Sequence, residues 1–129
     1  KTLAEELNQI LLERNRMVEV EQPARACLAI RETFIPDDWR TFNTRSQVGG
    51  VFLGLKQHAD AEPMLLSGYE GMKLRESRIP NDGKVRLKEA LERLVQLYET
   101  AGQAEKAADW KKKLVEFDES GLENPSQPP

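Results

Sequence analysis

The segment Gly49-Gly50-Val51-Phe52-Leu53-Gly54-Leu55-Lys56 is the stretch of this chain nearest to a phosphate-binding loop. In such a loop, glycines let backbone amides converge on phosphate while a Lys and a hydroxyl complete the site. Gly49 and Gly54 have the required separation, but Leu55 stands where the Lys belongs and no Ser or Thr follows. The surrounding pattern is helical, with no strand before it, so the glycines read as packing positions. Gly49 is expected to let two helices approach closely. Gly50 and Gly54 are expected to leave a shallow exposed surface, at about 1 kcal/mol of helix propensity each relative to Ala.

Carboxylates are grouped at Glu5 and Glu6, Glu89 and Glu92, and Asp118 and Glu119. General acid–base chemistry needs two such groups across a cleft with their protonation equilibria driven apart. These lie on polar helix faces beside Lys and Arg, which is the pattern of a solvated surface. His58, next to Ala59-Asp60 and without a second His, reads as a turn residue, neither ligand nor base. Cys27 falls at a helix-crossing position and is expected to be a small buried hydrophobe. With one Cys and one His, the chain can form neither an intramolecular disulfide nor a His-based metal site. Lys111-Lys112-Lys113, with Lys106 one turn earlier, points around a helix, not along a stripe, and complements the negative end of that helix's dipole. No catalytic, cofactor-binding or metal-binding residue is assigned, and the chain is expected not to be an enzyme.

The elements that position these residues are helical. The 129 residues suit one domain of modest size. With 39% hydrophobic and 32% charged residues and a net charge of −3, the chain is too apolar for disorder and too polar for a membrane span. Mixed charge also argues against a nucleic-acid binder, whose affinity comes from Lys and Arg on phosphates. Leu3, Leu7, Ile10 and Leu11 are spaced by threes and fours, as are Leu87, Leu91, Leu94, Leu97 and Tyr98, which lays each set along one helix face. With breaks such as Asn15-Arg16, Ile35-Pro36-Asp37-Asp38 and Ile79-Pro80-Asn81-Asp82-Gly83, the chain reads as six helices, at roughly 1–19, 19–35, 38–57, 58–79, 83–101 and 104–119. Asp37 or Asp38, and Asn81 or Asp82, are the expected N-caps. The first residue, Lys1, suggests a piece of a longer protein, and the Pro-rich end suggests a disordered tail over 120–129. The lone Cys and the missing signal segment favour a cytoplasmic setting.

The helices repeat. Leu7, Leu11, Val20, Cys27 and Leu28 align with Val48, Phe52, Ala61, Gly68 and Tyr69 at a constant offset of 41 residues, and a further offset of 46 reaches Leu94, Tyr98, Ala107, Leu114 and Val115. A constant offset of this size is the mark of a stacked two-helix unit. The expected architecture is all-α: a right-handed superhelix of three antiparallel pairs in one domain, residues 1–119, with units at about 1–36, 37–80 and 81–119.

Ala61-Glu62-Pro63-Met64-Leu65, the series Tyr98, Gly102, Ala107, and Ile-Pro at 35–36 and 79–80 resemble the longer tetratricopeptide repeats of kinesin light chains, with about 42 rather than about 34 residues per unit. From Ala61 to Leu114, Gly68-Tyr69-Glu70-Gly71, Arg75-Glu76-Ser77-Arg78-Ile79-Pro80 and Ala107-Ala108-Asp109-Trp110 are similar to the repeat region that follows the catalytic domain in planctomycete-type bacterial serine/threonine kinases. The likeness implies a regulatory or scaffolding segment that takes a peptide or partner helix on its concave side. By alignment that side presents Glu5, Gln9 and Leu12, then Asn43, Ser46, Gln47 and Gly50, then Glu89, Arg93 and Gln96. A neutral or basic protein segment is the expected partner, without nucleic acid and without membrane insertion. The second expectation is self-association through the exposed end of the last helix, at Trp110 and Leu114.

Overall fold

The computed structural model describes residues 2–122, which form five helices joined by short turns and contain no strand among the described residues. The first, α1, spans Leu3–Phe34. Its start is fixed by a reciprocal cap: Thr2 Oγ1 accepts from the Glu5 N–H at 3.2 Å, and the Glu5 carboxylate accepts from the Thr2 N–H at 3.1 Å. It stops at Ile35 because the residue before Pro36 is driven out of the helical region.

The expected break at Asn15-Arg16 does not occur, so residues 1–19 and 19–35 are not an antiparallel pair but one continuous helix. Arg14, Asn15, Arg16 and Met17 include no Gly or Pro to end it. Pro23, which cannot donate to the Glu19 carbonyl, sits on an exposed face and is absorbed. The crossing position held by Ala61 and Ala107 in the later units is Val20 here, and it is exposed where those two are buried.

Asp38 caps α2, Trp39–Gly54, by accepting from the Arg40 N–H at 2.8 Å. A turn through Lys56, at φ 62°, leads into α3, His58–Leu74. Two short 3-10 turns, Glu76–Arg78 and Asn81–Gly83, precede α4, Val85–Thr100. Asn81 and Asp82 are therefore inside a turn, and Lys84 precedes α4 without a side-chain cap. Gly102, at φ 75°, opens α5, Ala104–Leu122. Helix thus continues past residue 119, and the rest of the expected tail, 123–129, lies outside the described residues.

Neighbouring helices run antiparallel. Arg31 donates to the Arg40 carbonyl while Gly54 meets Met17, which pairs α1 with α2. A Cβ on Gly68 would stand 2.7 Å from the Ser46 nitrogen and 2.8 Å from the Phe42 carbonyl oxygen, so α2 and α3 touch backbone to backbone. Lys88 with Asp118 and Glu99 with Lys111 fix α4 against α5. The core between them holds Val48, Leu65, Met72, Leu87, Leu91, Leu94 and Leu97. At the α1–α2 corner, the Arg75 side chain pairs with Asp37, donates to the Gly71 carbonyl at 2.9 Å and lies 4.2 Å from the Phe42 ring centroid. That contact holds the Asp37 carboxyl below the usual carboxylate range.

Candidate functional site

Of the expected groove residues, the fold brings together those on α2 and α4. The Arg93 Nη1 donates to Ser46 Oγ at 3.0 Å, and the same side chain lies across Gly50, where a Cβ would meet Arg93 Nε at 3.1 Å. Gln47 and Gln96 are exposed on this face, and Glu89 is half-buried and paired with Arg86 at 2.7 Å. Ser46 is fully buried, so it supports Arg93 from beneath and does not face solvent. Asn43 is also buried, at 8% exposure, and its Oδ1 has no hydrogen-bond partner. Burial, the largest cause, lowers the Arg93 pKa, and no described carboxylate forms an ion pair with it. The result is a desolvated guanidinium with unused N–H donors between two helices.

Glu5, Gln9 and Leu12 are not part of this face. Gly54, the last residue of α2, lies against Met17, and the three residues belong to the half of α1 that projects beyond it, exposed throughout. Their places in the repeat match those of Ser46, Gly50 and Leu53, but the turn that would have brought them back is absent.

Gly49 packs on Leu65 as expected; Gly50 is half-buried under the Arg93 side chain, whereas Gly54 is exposed as expected, with Met17 beside it. Cys27 is exposed rather than buried, because the helix meant to cross it does not fold back. Trp110 and Leu114 are half-buried, not free: the Trp110 ring meets Tyr69 edge-on at 5.3 Å, and the exposed apolar residue of that helix is Val115. The end-to-end docking face expected on those two residues is therefore partly covered by the chain's own core. Lys111 pairs with Glu99 and Lys113 lies over Trp110, two directions around α5. His58 Nε2 is 3.0 Å from Thr100 Oγ1. Among the described residues no three His, Cys, Asp or Glu side chains converge as metal ligands, and no described helix is long and apolar enough to cross a membrane.

Sequence reasoning missed two clefts. One of about 440 Å³ lies between α1, α2 and α3, lined by Arg25, Leu28, Phe52, Asp60 and Met64, with the Arg25 guanidinium 5.5 Å from the Phe52 centroid. The other, about 480 Å³, lies between α3, α4 and α5 beside Tyr69, Lys73, Lys84 and Glu116. Each is formed by three helices together, which periodicity along one helix does not report. Comparison with known proteins finds no matching family model, no matching curated protein and no matching solved structure.

Proposed function

We propose that this chain is a non-enzymatic protein–protein interaction module, a tetratricopeptide-like array whose α2–α4 face takes an extended peptide or a partner helix. The observation that carries the reading is Arg93: a guanidinium half-buried between the first helices of consecutive pairs, tied only to Ser46, with donors left for the carbonyls of a bound backbone. The pairs α2–α3 and α4–α5 would be successive repeat units, and the second half of α1 would stand as the second helix of the unit before them. Their offset of 46 residues supports this, with Val48, Phe52, Ala61 and Tyr69 buried in one and Leu94, Tyr98 and Ala107 in the other. Of the two charge classes expected for the partner, a neutral segment fits better. The acidic residues meant to attract a basic one sit on the projecting half of α1.

The resemblance of residues 61–114 to the region after bacterial kinase domains supports a regulatory or scaffolding role in a larger cytoplasmic protein. The test is fluorescence polarisation with labelled neutral, basic and acidic peptides of equal length, against the wild type and the double variant Gln47→Arg, Gln96→Arg. Neutral peptides should bind best, and the variant should weaken them at least tenfold without changing the melting temperature. Equal affinity for all three classes, or binding indifferent to the variant, would refute the reading.

A further inference from the structure

The cleft of about 480 Å³ between α3, α4 and α5 has an apolar floor of Tyr69, Leu87, Leu91 and Phe117. Leu91 stands two residues before Arg93, about half a helical turn away, so the cleft lies on the other side of α4 from the α2–α4 face. Tyr69 is only 9% exposed. The Tyr98 hydroxyl donates to Glu62 at 2.8 Å, whereas that of Tyr69 makes no hydrogen bond among the described residues. Burial, the largest cause, pushes the Tyr69 phenol above its ordinary range, and the charges that act on it next, Lys73, Glu76 and Glu116, all line the cleft. A buried hydroxyl at the edge of an open cleft is a donor waiting for an acceptor.

The rim is cationic. Lys73 reaches it from α3, Lys84 from the turn before α4, Lys88 from α4 and Lys113 from α5. Lys73 is paired with Glu76 at 2.8 Å and Lys88 with Asp118 at 3.1 Å. Lys84 and Lys113 have no ion-pair partner among the described residues, and neither has Glu116, so the lining keeps an excess of positive charge.

In the preceding unit the chain closes the corresponding place itself. There Arg75 lies across Phe42, 4.2 Å from its ring centroid, and pairs with the Asp37 carboxylate. A step of 46 residues carries Trp39–Gly54 onto Val85–Thr100 and His58 onto Ala104, the first residues of α3 and α5. The same step puts Lys88 at the place of Phe42, Gly121 at that of Arg75 and Gly83 at that of Asp37. A ring is still supplied, by Phe117 at the place of Gly71, but the cation that covers it and the carboxylate that holds the cation are missing. Nothing lies within 4 Å of where a Gly121 Cβ would stand.

We propose that this cleft takes an acidic segment of a partner protein, which sets an aromatic side chain against Phe117 and Leu91 and offers carboxylates to the Tyr69 hydroxyl, Lys84 and Lys113. Charge selects this occupant. Glu76 and Glu116 oppose a continuous phosphate backbone or an anionic lipid surface, whereas the spaced carboxylates of a peptide can avoid them. Lys73, Lys113 and Glu116 are exposed, so the cleft is open along one side, as a chain passing through it requires. The proposal does not rest on the peptide-binding reading of the α2–α4 face.

Fluorescence polarisation with a labelled heptapeptide, one Phe flanked on both sides by Glu and Asp, provides the test. The peptide should bind the wild type. Its counterpart with Gln and Asn for the acids, and that with Ala for Phe, should each bind about tenfold more weakly. Lys84→Glu with Lys113→Glu reverses the two unpaired charges and should weaken the acidic peptide by about tenfold or more. Tyr69→Phe keeps the ring against Trp110 and removes only the hydroxyl. It should leave the melting temperature unchanged and weaken the acidic peptide, but not its amide counterpart, by about fivefold. Gln47→Arg with Gln96→Arg should not weaken this binding, which separates it from that of the α2–α4 face. No binding at about 1 mM, equal binding of the acidic and amide peptides, or an affinity indifferent to Tyr69→Phe or to the double lysine reversal would overturn the proposal. So would displacement of the peptide by anionic phospholipid vesicles or single-stranded DNA at matched charge, because the cleft would then serve a membrane or a nucleic acid.

Discussion

Gly68→Ala tests the closest contact in the fold. The added Cβ would stand 2.7 Å from the Ser46 nitrogen, 2.8 Å from the Phe42 carbonyl oxygen and 3.0 Å from the Ser46 Cα. Ordinary non-bonded contact is roughly 3.5–4.0 Å, so α2 and α3 must separate by about 0.7–1 Å. All three neighbouring atoms are backbone, and a helix backbone cannot rotate away as a side chain tip can. Separation would also open the contact of Gly49 with Leu65, which is fully buried. Overpacking of this kind costs about 1–3 kcal/mol, and values at the high end apply where backbone meets backbone. The opposing gain from replacing Gly by Ala inside a helix is about 1 kcal/mol. The expected net loss is about 2 kcal/mol, which for a chain of this length lowers the melting temperature by roughly 6–12 °C. Urea denaturation followed by circular dichroism and by Trp39 and Trp110 fluorescence would measure it. Gly121→Ala is the control, because no atom lies within 4 Å of its Cβ position. It should be neutral or slightly stabilising. A Gly68→Ala protein as stable as the wild type would show that α2 and α3 do not approach as described.

Two further predictions concern protons. Asp38→Ala should cost about 1 kcal/mol by removing the cap of α2, while Asp38→Asn should retain most of it. The hydrogen bond from the Arg40 side chain is the largest cause holding Asp38 at about 2, against 3.8 for an ordinary Asp. Its contribution is therefore complete above about pH 4 and is lost as the pH falls through about 2; Asp38→Asn should flatten that limb of a stability–pH profile, and an unchanged limb would refute the assignment. Burial first, and the hydrogen bond to Glu62 at 2.8 Å second, push the Tyr98 phenol up to about 12. The folded state binds this proton more tightly than the unfolded state, so stability is held below pH 10 and declines as the pH rises through about 12. Absorbance at 295 nm should show Tyr98 still un-ionised at pH 10.5 in the folded protein, and Tyr98→Phe should remove the step near 12. A Tyr98 that ionises near 10 would mean that its ring is not buried.

Much of the fold could be read from the chain because it depends on local chemistry. Pro36 ends α1, Asp38 starts α2 and Gly102 permits the turn into α5; each acts through its own backbone. The all-helical class and the two later pairs follow from three-and-four spacing and such stops. The candidate site was legible in direction but not in depth. The repeat alignment puts Ser46 and Gly50 on one helix and Arg93 on the next, and these three meet, yet whether Ser46 is exposed depends on Arg93 lying across it, a contact 47 residues away in sequence. Cys27 and Trp110 were misjudged for the same reason in opposite directions: one lost the helix meant to cover it, and the other gained Tyr69.

The missing first turn shows where repetition stops being informative. Lys56 and Gly102 are the described residues with positive φ, and they are 46 residues apart, the offset between the second and third units. Carried back by 41, the same position is Asn15, a residue type that tolerates the left-handed conformation better than most. The local requirement for a hairpin is thus present in the first unit, and yet the helix continues. What differs is the return on turning. Folding back at Lys56 or Gly102 buries Ala61 or Ala107 where two helices cross, whereas folding back at Asn15 would set Val20 at that crossing. A turn that stops a helix gives up hydrogen bonds, and only the packing of the returning segment offsets that loss. Periodicity marks which residues share a face, while the choice between a hairpin and a straight helix is set by how closely the two faces can approach.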